Sequence, residues 1–212
     1  RFNLEMPAVQ TWQRAAAALS GINFRDIRKG KLTDNQMTQL GQALGEAGQW
    51  RMWVDDTPAL TLSQMSAKCR RIQAEHGLDM VTVDFLQLMG ATGNHQNRNQ
   101  EVGYNSRGLK NLAKNLNVPI VALAQLSRQV EQRSDKHPQL SDLRDSGEIE
   151  QDADAVLMLY RDEYYAKDIS ERPNQVDVGI EKNRHGETGQ AILYFDTRAP
   201  KLSNMVREHV SF

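Results

Sequence analysis

Apolar positions along the chain fall into short continuous runs and longer stripes with a spacing of three to four residues. The run Met80-Val81-Thr82-Val83-Asp84-Phe85-Leu86-Gln87-Leu88-Met89 is largely apolar, rich in β-branched residues and interrupted by one acid. Such a run predicts a strand buried on both faces, the kind a parallel sheet covered by helices requires. Val118 to Gln125 predicts a second buried strand, again with a polar residue at its end, and Ala153 to Tyr160 a third. Residues 2–5 read as the end of a strand that leaves Glu5 at its carboxyl edge, and Met52 to Asp56 as a further strand. Val176 to Lys182 and Gln190 to Phe195 predict a hairpin joined by the polar turn Asn183-Arg184-His185-Gly186-Glu187-Thr188-Gly189.

Between these runs lie helical stripes. Pro7 suits a first helical turn, and the alanine-rich helix it opens runs to about Ser20, with Gly21 as its stop. Thr33 with Gln36, and Thr61 with Gln64, form capping boxes. The first opens a helix to about Ala47. The second opens one with Leu62, Met65, Cys69, Ile72 and His76 on a single face, Lys68, Arg70 and Arg71 off it, and Gly77 as its end. A helix from about Gln100 to Asn115 turns Val102, Leu109, Leu112 and Leu116 inward and leaves Lys110 and Lys114 in solvent. The stretch from Gly90 to Asn99 is too polar and glycine-rich to pack, and reads as a surface or ligand-contacting loop. Leu126 to Asp152 reads as a long functional or disordered loop. Strands alternating with helices make this an α/β chain.

Composition narrows the picture. The 212 residues suffice for one sizeable domain, with no internal repeat and no linker to mark a boundary. A net charge of −1 demands neither nucleic acid nor membrane, so any DNA site is a local patch. Cys69 is the only cysteine; it lies on the apolar stripe, is expected in the core, and fits a reducing cytoplasm. No apolar run is long enough for a transmembrane helix. The histidines at 76, 95, 137, 185 and 209 show no metal-ligand spacing. The chain opens without a methionine and already inside a strand, which reads as a piece of a longer protein.

The candidate chemistry sits at strand ends. An acid placed where a strand leaves a parallel sheet stands at the carboxyl edge, where open α/β sheets bind ligands. Asp84 there either serves a bound ligand or caps the following turn. Asp55 and Asp56 are expected to be turn formers.

Five segments then occur in order: Asn3-Leu4-Glu5-Met6; Val83 to Met89; Ala122-Leu123-Ala124-Gln125-Leu126-Ser127-Arg128; Asp142-Leu143-Arg144-Asp145-Ser146-Gly147-Glu148 to Asp154; and Lys182 to Gly189. Over essentially the whole chain this resembles the C-terminal, RecA-like motor domain of the DnaB-type replicative DNA helicases. The resemblance implies a P-loop NTPase core with a mostly parallel central sheet flanked by helices and a C-terminal β-hairpin. It implies ATP and Mg²⁺ as cofactors, 5′-to-3′ movement on single-stranded DNA, a homo-hexamer, and a helicase loader and primase as partners. Glu5 corresponds to the acid that activates the attacking water, Asp84 to the Walker B aspartate that holds Mg²⁺ through a water, and Gln125 to the sensor of the γ-phosphate. Lys182 and Arg184 resemble the cationic pair inserted into a neighbouring subunit's nucleotide site, with Arg184 the arginine finger. Arg144, Asp145 and Gly147 resemble the DNA-contacting loop, and Gly93 to Asn99 is a second candidate for the channel.

The chain departs from the family pattern in places. It has no G-x-x-x-x-G-K-[ST] phosphate loop, which in the family lies upstream of the Glu5 motif, and it lacks the collar domain. Phe85 stands where tyrosine is common and Asp145 where glutamate is usual. The 212 residues alone are therefore expected to be inactive. Two other readings stand beside this one: a RecA-like ATPase of recombination or repair, and a non-catalytic ring-forming or partner-binding module.

Overall fold

The computed structural model describes residues 1–91, 97–146 and 148–205, without the side chains of 144–146 and 168. The chain divides into two compact units, one made of Arg1–Ala8 and Met52–Val156, the other of Val9–Arg51 and Leu157–Phe212.

The first unit is built on a parallel sheet of β1 (Phe2–Asn3), β2 (Val81–Asp84) and β3 (Ile120–Ala122), in that order. Phe2 lies opposite Val83, and Val83 opposite Ala122, so the strands stand in a fixed register. Val81 and Val83 point into the core while Thr82 and Asp84 are half-buried, which follows from the period of two along a strand. The expected strand at Met52 to Asp56 reduces to one parallel bridge between Asp55 and Phe2, with Asn3 N–H donating to the Asp55 carbonyl at 2.8 Å.

Two helices cover this sheet. The helix α4 (Leu62–His76) opens on the predicted capping box, with Gln64 N–H donating to the Thr61 hydroxyl and Thr61 N–H to the Gln64 side chain. Gly77 ends it at φ 76°, a conformation a side chain resists. The helix α5 (Arg98–Leu116) buries Val102, Leu109, Leu112 and Leu116 as its spacing required. These pack with Met65, Cys69, Val81, Val83, Leu86 and Met89 in one apolar cluster. Burial raises the Cys69 thiol pKa.

Several expectations are corrected here. The apolar run does not stay extended to Met89: β2 stops at Asp84, and Leu86–Leu88 wind into a 3₁₀ turn. His76, placed on the buried stripe, is exposed and stacks on Trp53 with ring centroids 5.1 Å apart. Lys110 does not stand alone in solvent but pairs with Asp154. The segment from Leu126 to Asp152 is not structureless. It forms 3₁₀ turns at Arg128–Gln132 and Leu140–Ser146, then the short helix α6 (Ile149–Asp152).

In the second unit, the helices α1 (Ala8–Ser20) and α3 (Asp34–Ala47) bury Ala16, Ala17, Ala43 and Ala47, small residues that permit close approach, while α2 (Phe24–Lys29) between them buries none. Its sheet runs β4 (Ala155–Tyr160), β5 (Gln175–Asn183), β6 (Gly189–Asp196) and β7 (Lys201–Asn204), in that order. β5 and β6 are the predicted hairpin, paired from Gln175 opposite Tyr194 to Ile180 opposite Gly189. Periodicity did not reveal α2, the short α7 (Asp162–Ala166) or β7.

Candidate nucleotide-binding edge

The register of the three-stranded sheet decides which candidate residues meet. Asp84 is the last residue of β2 and lies opposite Asn3 of β1. Counting along the same register from Val83 opposite Ala122, Leu123 stands at the level of Asp84, and its N–H donates to the Val83 carbonyl at 2.9 Å. Glu5 and Gln125 each follow two residues beyond that level. Asp84 thus ends the central strand, and Glu5 and Gln125 follow the ends of its two neighbours, on the carboxyl side of the sheet. This is the crevice where open parallel sheets hold ligands.

Each is positioned differently. Glu5 is exposed two residues past the end of β1, beyond Leu4, whose N–H donates to the Asp84 carbonyl at 2.7 Å. Its carboxylate accepts no hydrogen bond from the described residues, which leaves its oxygens to water or ligand. The Asp84 side chain is 17% exposed, and one oxygen accepts from the Arg1 guanidinium at 2.8 Å. Arg1 also donates through Nε to Asn3 Oδ1 at 2.6 Å. Gln125 follows β3 and is exposed, with its backbone held by Gln87.

The neighbouring acids take structural work, as their placement at a turn implied. Asp56 accepts from Ala8 N–H at 2.8 Å and so caps the first turn of α1. Asp55 pairs with Lys68, a residue whose position off the apolar stripe now has a reason. Burial pushes the Asp55 carboxyl up, but hydrogen bonds from Lys68 and Thr57 outweigh it and lower the pKa.

Lys182 and Arg184 stand at the tip of the β5–β6 hairpin in the second unit, Lys182 inside β5 and Arg184 in the turn. The turn is shaped by Asn183, which donates to the Glu187 carbonyl at 3.2 Å and accepts from His185 N–H at 3.3 Å. The backbone of Arg144 and Asp145 belongs to the 3₁₀ turn Leu140–Ser146, while their side chains and Gly147 lie outside the described residues. Residues 92–96 of the second loop candidate lie outside them too; Asn97 caps α5 by accepting from Gln100 N–H at 3.0 Å.

What the sequence reading missed is the support around these groups. Arg133 grips the carboxylate of Asp142 with two bonds, at 3.1 and 2.8 Å, and donates to the His137 carbonyl at 2.8 Å. The Asp142 side chain is only 6% exposed and also accepts from Gln139 N–H at 2.7 Å. Ser127 N–H donates to the Asp142 carbonyl at 3.0 Å, so the stretch that leaves β3 is tied to the turn carrying Arg144.

A parallel sheet packed against helices, with two acids and an amide at or just beyond its strand ends, makes this unit an α/β domain. The family model for the DnaB-like helicase C-terminal domain matches residues 1–204, and the chain belongs to that family. It is 47% identical over 207 residues to the replicative DNA helicase DnaB of Geobacillus stearothermophilus. It is 45% identical over 207 residues to the replicative DNA helicase DnaC of Bacillus subtilis. Either match covers 97% of this chain and 45% of the relative, so the chain spans about half the length of these helicases. A solved structure described as a DnaB-like replicative helicase and its interactions with primase superposes with a TM-score of 0.91 at 35% identity, covering 97% of this chain and 50% of that one. A second solved structure, described as an ATPase domain, superposes with the same score and identity, covering 97% of this chain and 73% of that one. The α/β fold expected from the resemblance is thereby shared with helicase ATPase domains.

Proposed function

We propose that this chain is the greater part of one RecA-like motor domain of a replicative DNA helicase, which couples ATP hydrolysis to 5′-to-3′ movement on single-stranded DNA. The observation that carries the reading is the row of Glu5, Asp84 and Gln125 at the carboxyl edge of a parallel sheet in a chain of this family. Glu5, with no hydrogen-bond donor of its own among the described residues, orients and deprotonates the water that attacks the γ-phosphate. Gln125 donates through its amide to a γ-phosphate oxygen and reports whether that phosphate is present.

Asp84 offers a hard carboxylate oxygen at this edge, and the cationic Arg1 already stands on it as a substitute ion. That donor chemistry fits Mg²⁺, which Asp84 would hold through a water. When bound, the ion neutralises phosphate charge. In the family pattern the phosphate loop precedes the Glu5 motif. Val121 in β3 and Leu123 just beyond it are exposed apolar residues two apart, on one face of the described sheet, which supports a further element packing there.

Lys182 and Arg184 reach the nucleotide site of the next subunit in a homo-hexamer, where Arg184 stabilises transition-state charge. Arg144, Asp145 and Gly147 follow the phosphates of one DNA strand without reading bases. Primase is a partner, supported by the relative described with it, and a helicase loader is another. The motor works in the cytoplasm.

The test is ATP hydrolysis with and without single-stranded DNA, on the protein that carries this chain behind its phosphate loop. DNA-stimulated turnover is expected. No turnover in the presence of Mg²⁺ and DNA sinks the motor reading and leaves a ring-forming or partner-binding module.

A further inference from the structure

The sensor glutamine is held in place by another glutamine. The last backbone bonds between β2 and the chain leaving β3 run from Leu123 N–H to the Val83 carbonyl and from Leu86 N–H to the Leu123 carbonyl, both at 2.9 Å. Beyond Leu86 the first segment winds into its 3₁₀ turn, and the parallel ladder has no further backbone to offer Gln125. The side chain of Gln87 takes over. Its Nε2 donates to the Gln125 carbonyl at 3.0 Å, and its Oε1 accepts from Gln125 N–H at 3.2 Å. A carboxamide carries the same donor and acceptor as a peptide group, so Gln87 adds one more rung to the ladder with its side chain. Only one orientation of the amide makes both bonds.

This rung fixes both backbone groups of Gln125 and leaves its side chain to a ligand. Gln87 is itself braced. Arg98, at the start of α5, donates to the Gln87 carbonyl and is paired with Glu101. The 3₁₀ turn around it is closed by Leu88 N–H to the Phe85 carbonyl at 3.0 Å and Met89 N–H to the Leu86 carbonyl at 3.2 Å.

The geometry points to Gln87 as the positioning residue that aims Gln125 at the γ-phosphate. This rests on the motor reading above. Gln87 acts through the Gln125 backbone.

The experiment uses the protein that carries this chain behind its phosphate loop, with Gln87→Leu and Gln87→Glu variants. Gln87→Leu removes both bonds at similar volume. It is expected to lower kcat by roughly 10- to 100-fold, the scale set by a misplacement of about 1 Å, while KM for ATP moves less than about threefold. Gln87→Glu separates aiming from mere packing. As a carboxylate it sets an oxygen against the Gln125 carbonyl and loses the rung. Protonated, its O–H donates to that carbonyl and its C=O accepts from the N–H, so both bonds return. The ratio of its kcat to that of the unaltered protein therefore rises as pH falls through the carboxyl titration, which the carbonyl opposite moves upward.

A second readout uses the 212-residue chain itself: amide exchange at Gln125 speeds up in Gln87→Leu while exchange at Val83 does not. Full turnover in Gln87→Leu, or a flat pH ratio in Gln87→Glu beside unchanged exchange at Gln125, overturns the role of Gln87 alone. Absence of turnover in the unaltered protein overturns the motor reading, and the sensor role with it.

Discussion

Asp55 and Lys68 show how one residue's charge state contributes to the strength of the edge. Burial disfavours the Asp55 carboxylate, and the hydrogen bonds from Lys68 and Thr57 favour it more, so its folded-state pKa lies below the ordinary value. A depressed carboxyl pKa stabilises the fold above the unfolded value of about 3.9, and that contribution is lost as pH falls through the folded pKa. Lys68→Met is therefore expected to cost roughly 0.5 kcal/mol at pH 7, the scale of a largely solvated pair. The difference from the unaltered chain should shrink near pH 3 as Asp55 protonates. Urea melts at the two pH values read it directly; a gap that widens in acid contradicts the assignment. Residues of this sort differ in how legible they are. Glu5, Asp84 and Gln125 stood out because a polar residue ending an apolar run breaks a pattern. Gln87 and Arg133 broke none: an amide inside a run with leucine on both sides, and an arginine inside a polar stretch, acquire meaning only from partners 38 and 9 positions away.

Packing between elements rests on similarly local choices. α4 and α5 cross where Gly108 faces Leu62, and a β-carbon added at Gly108 would lie 2.1 Å from Leu62 Cδ2. Leu62 is half-buried and packs against the core, so its isobutyl end must leave that contact to make room. Gly108→Ala is expected to destabilise by about 1–2 kcal/mol, because overpacking exceeds the helix propensity that alanine gains. Adding Leu62→Val should recover part of that loss, a coupling that a double-mutant cycle of thermal melts measures. Additive effects would mean that the two side chains do not meet. In the segment after β3, Arg133→Met leaves the nearly buried Asp142 carboxylate without its cation. The expected cost is roughly 2 kcal/mol, below the range for fully buried pairs because Arg133 is about a third exposed. Amide exchange across residues 127–143 should rise selectively; protection that survives intact would show the clamp to be incidental. α3 and α4 were readable from their capping boxes, α1 from its proline start and glycine stop, and α4 and α5 from an apolar stripe at helical spacing. The stretch from Leu126 to Asp152 was not, since ion pairs and 3₁₀ turns hold it and neither leaves a periodic trace.

At the scale of the whole molecule, the proposed site residues are divided between the two units: Glu5, Asp84 and Gln125 in one, Lys182 and Arg184 in the other. If the hairpin serves the adjacent subunit of a ring, each active site draws on two chains, and hydrolysis depends on assembly. Glu5→Gln and Arg184→Ala, each prepared alone in the protein carrying its phosphate loop, are expected to lose on the order of 10³-fold or more in kcat. Their melting temperatures should stay near that of the unaltered protein, since both residues are exposed. Assembled together in equal amounts, the two inert variants should regain activity. A site is whole where an Arg184→Ala chain supplies Glu5 and its neighbour, a Glu5→Gln chain, supplies Arg184. Random mixing in a closed ring makes about a quarter of the sites whole. Recovery near that fraction, growing with assembly and vanishing when the rings are diluted apart, is the signature of a finger given across an interface. Two inert variants that stay inert when mixed, in rings shown by mass analysis to contain both, would place Arg184 in the service of its own chain. The dependence of hydrolysis on the ring would then need another cause.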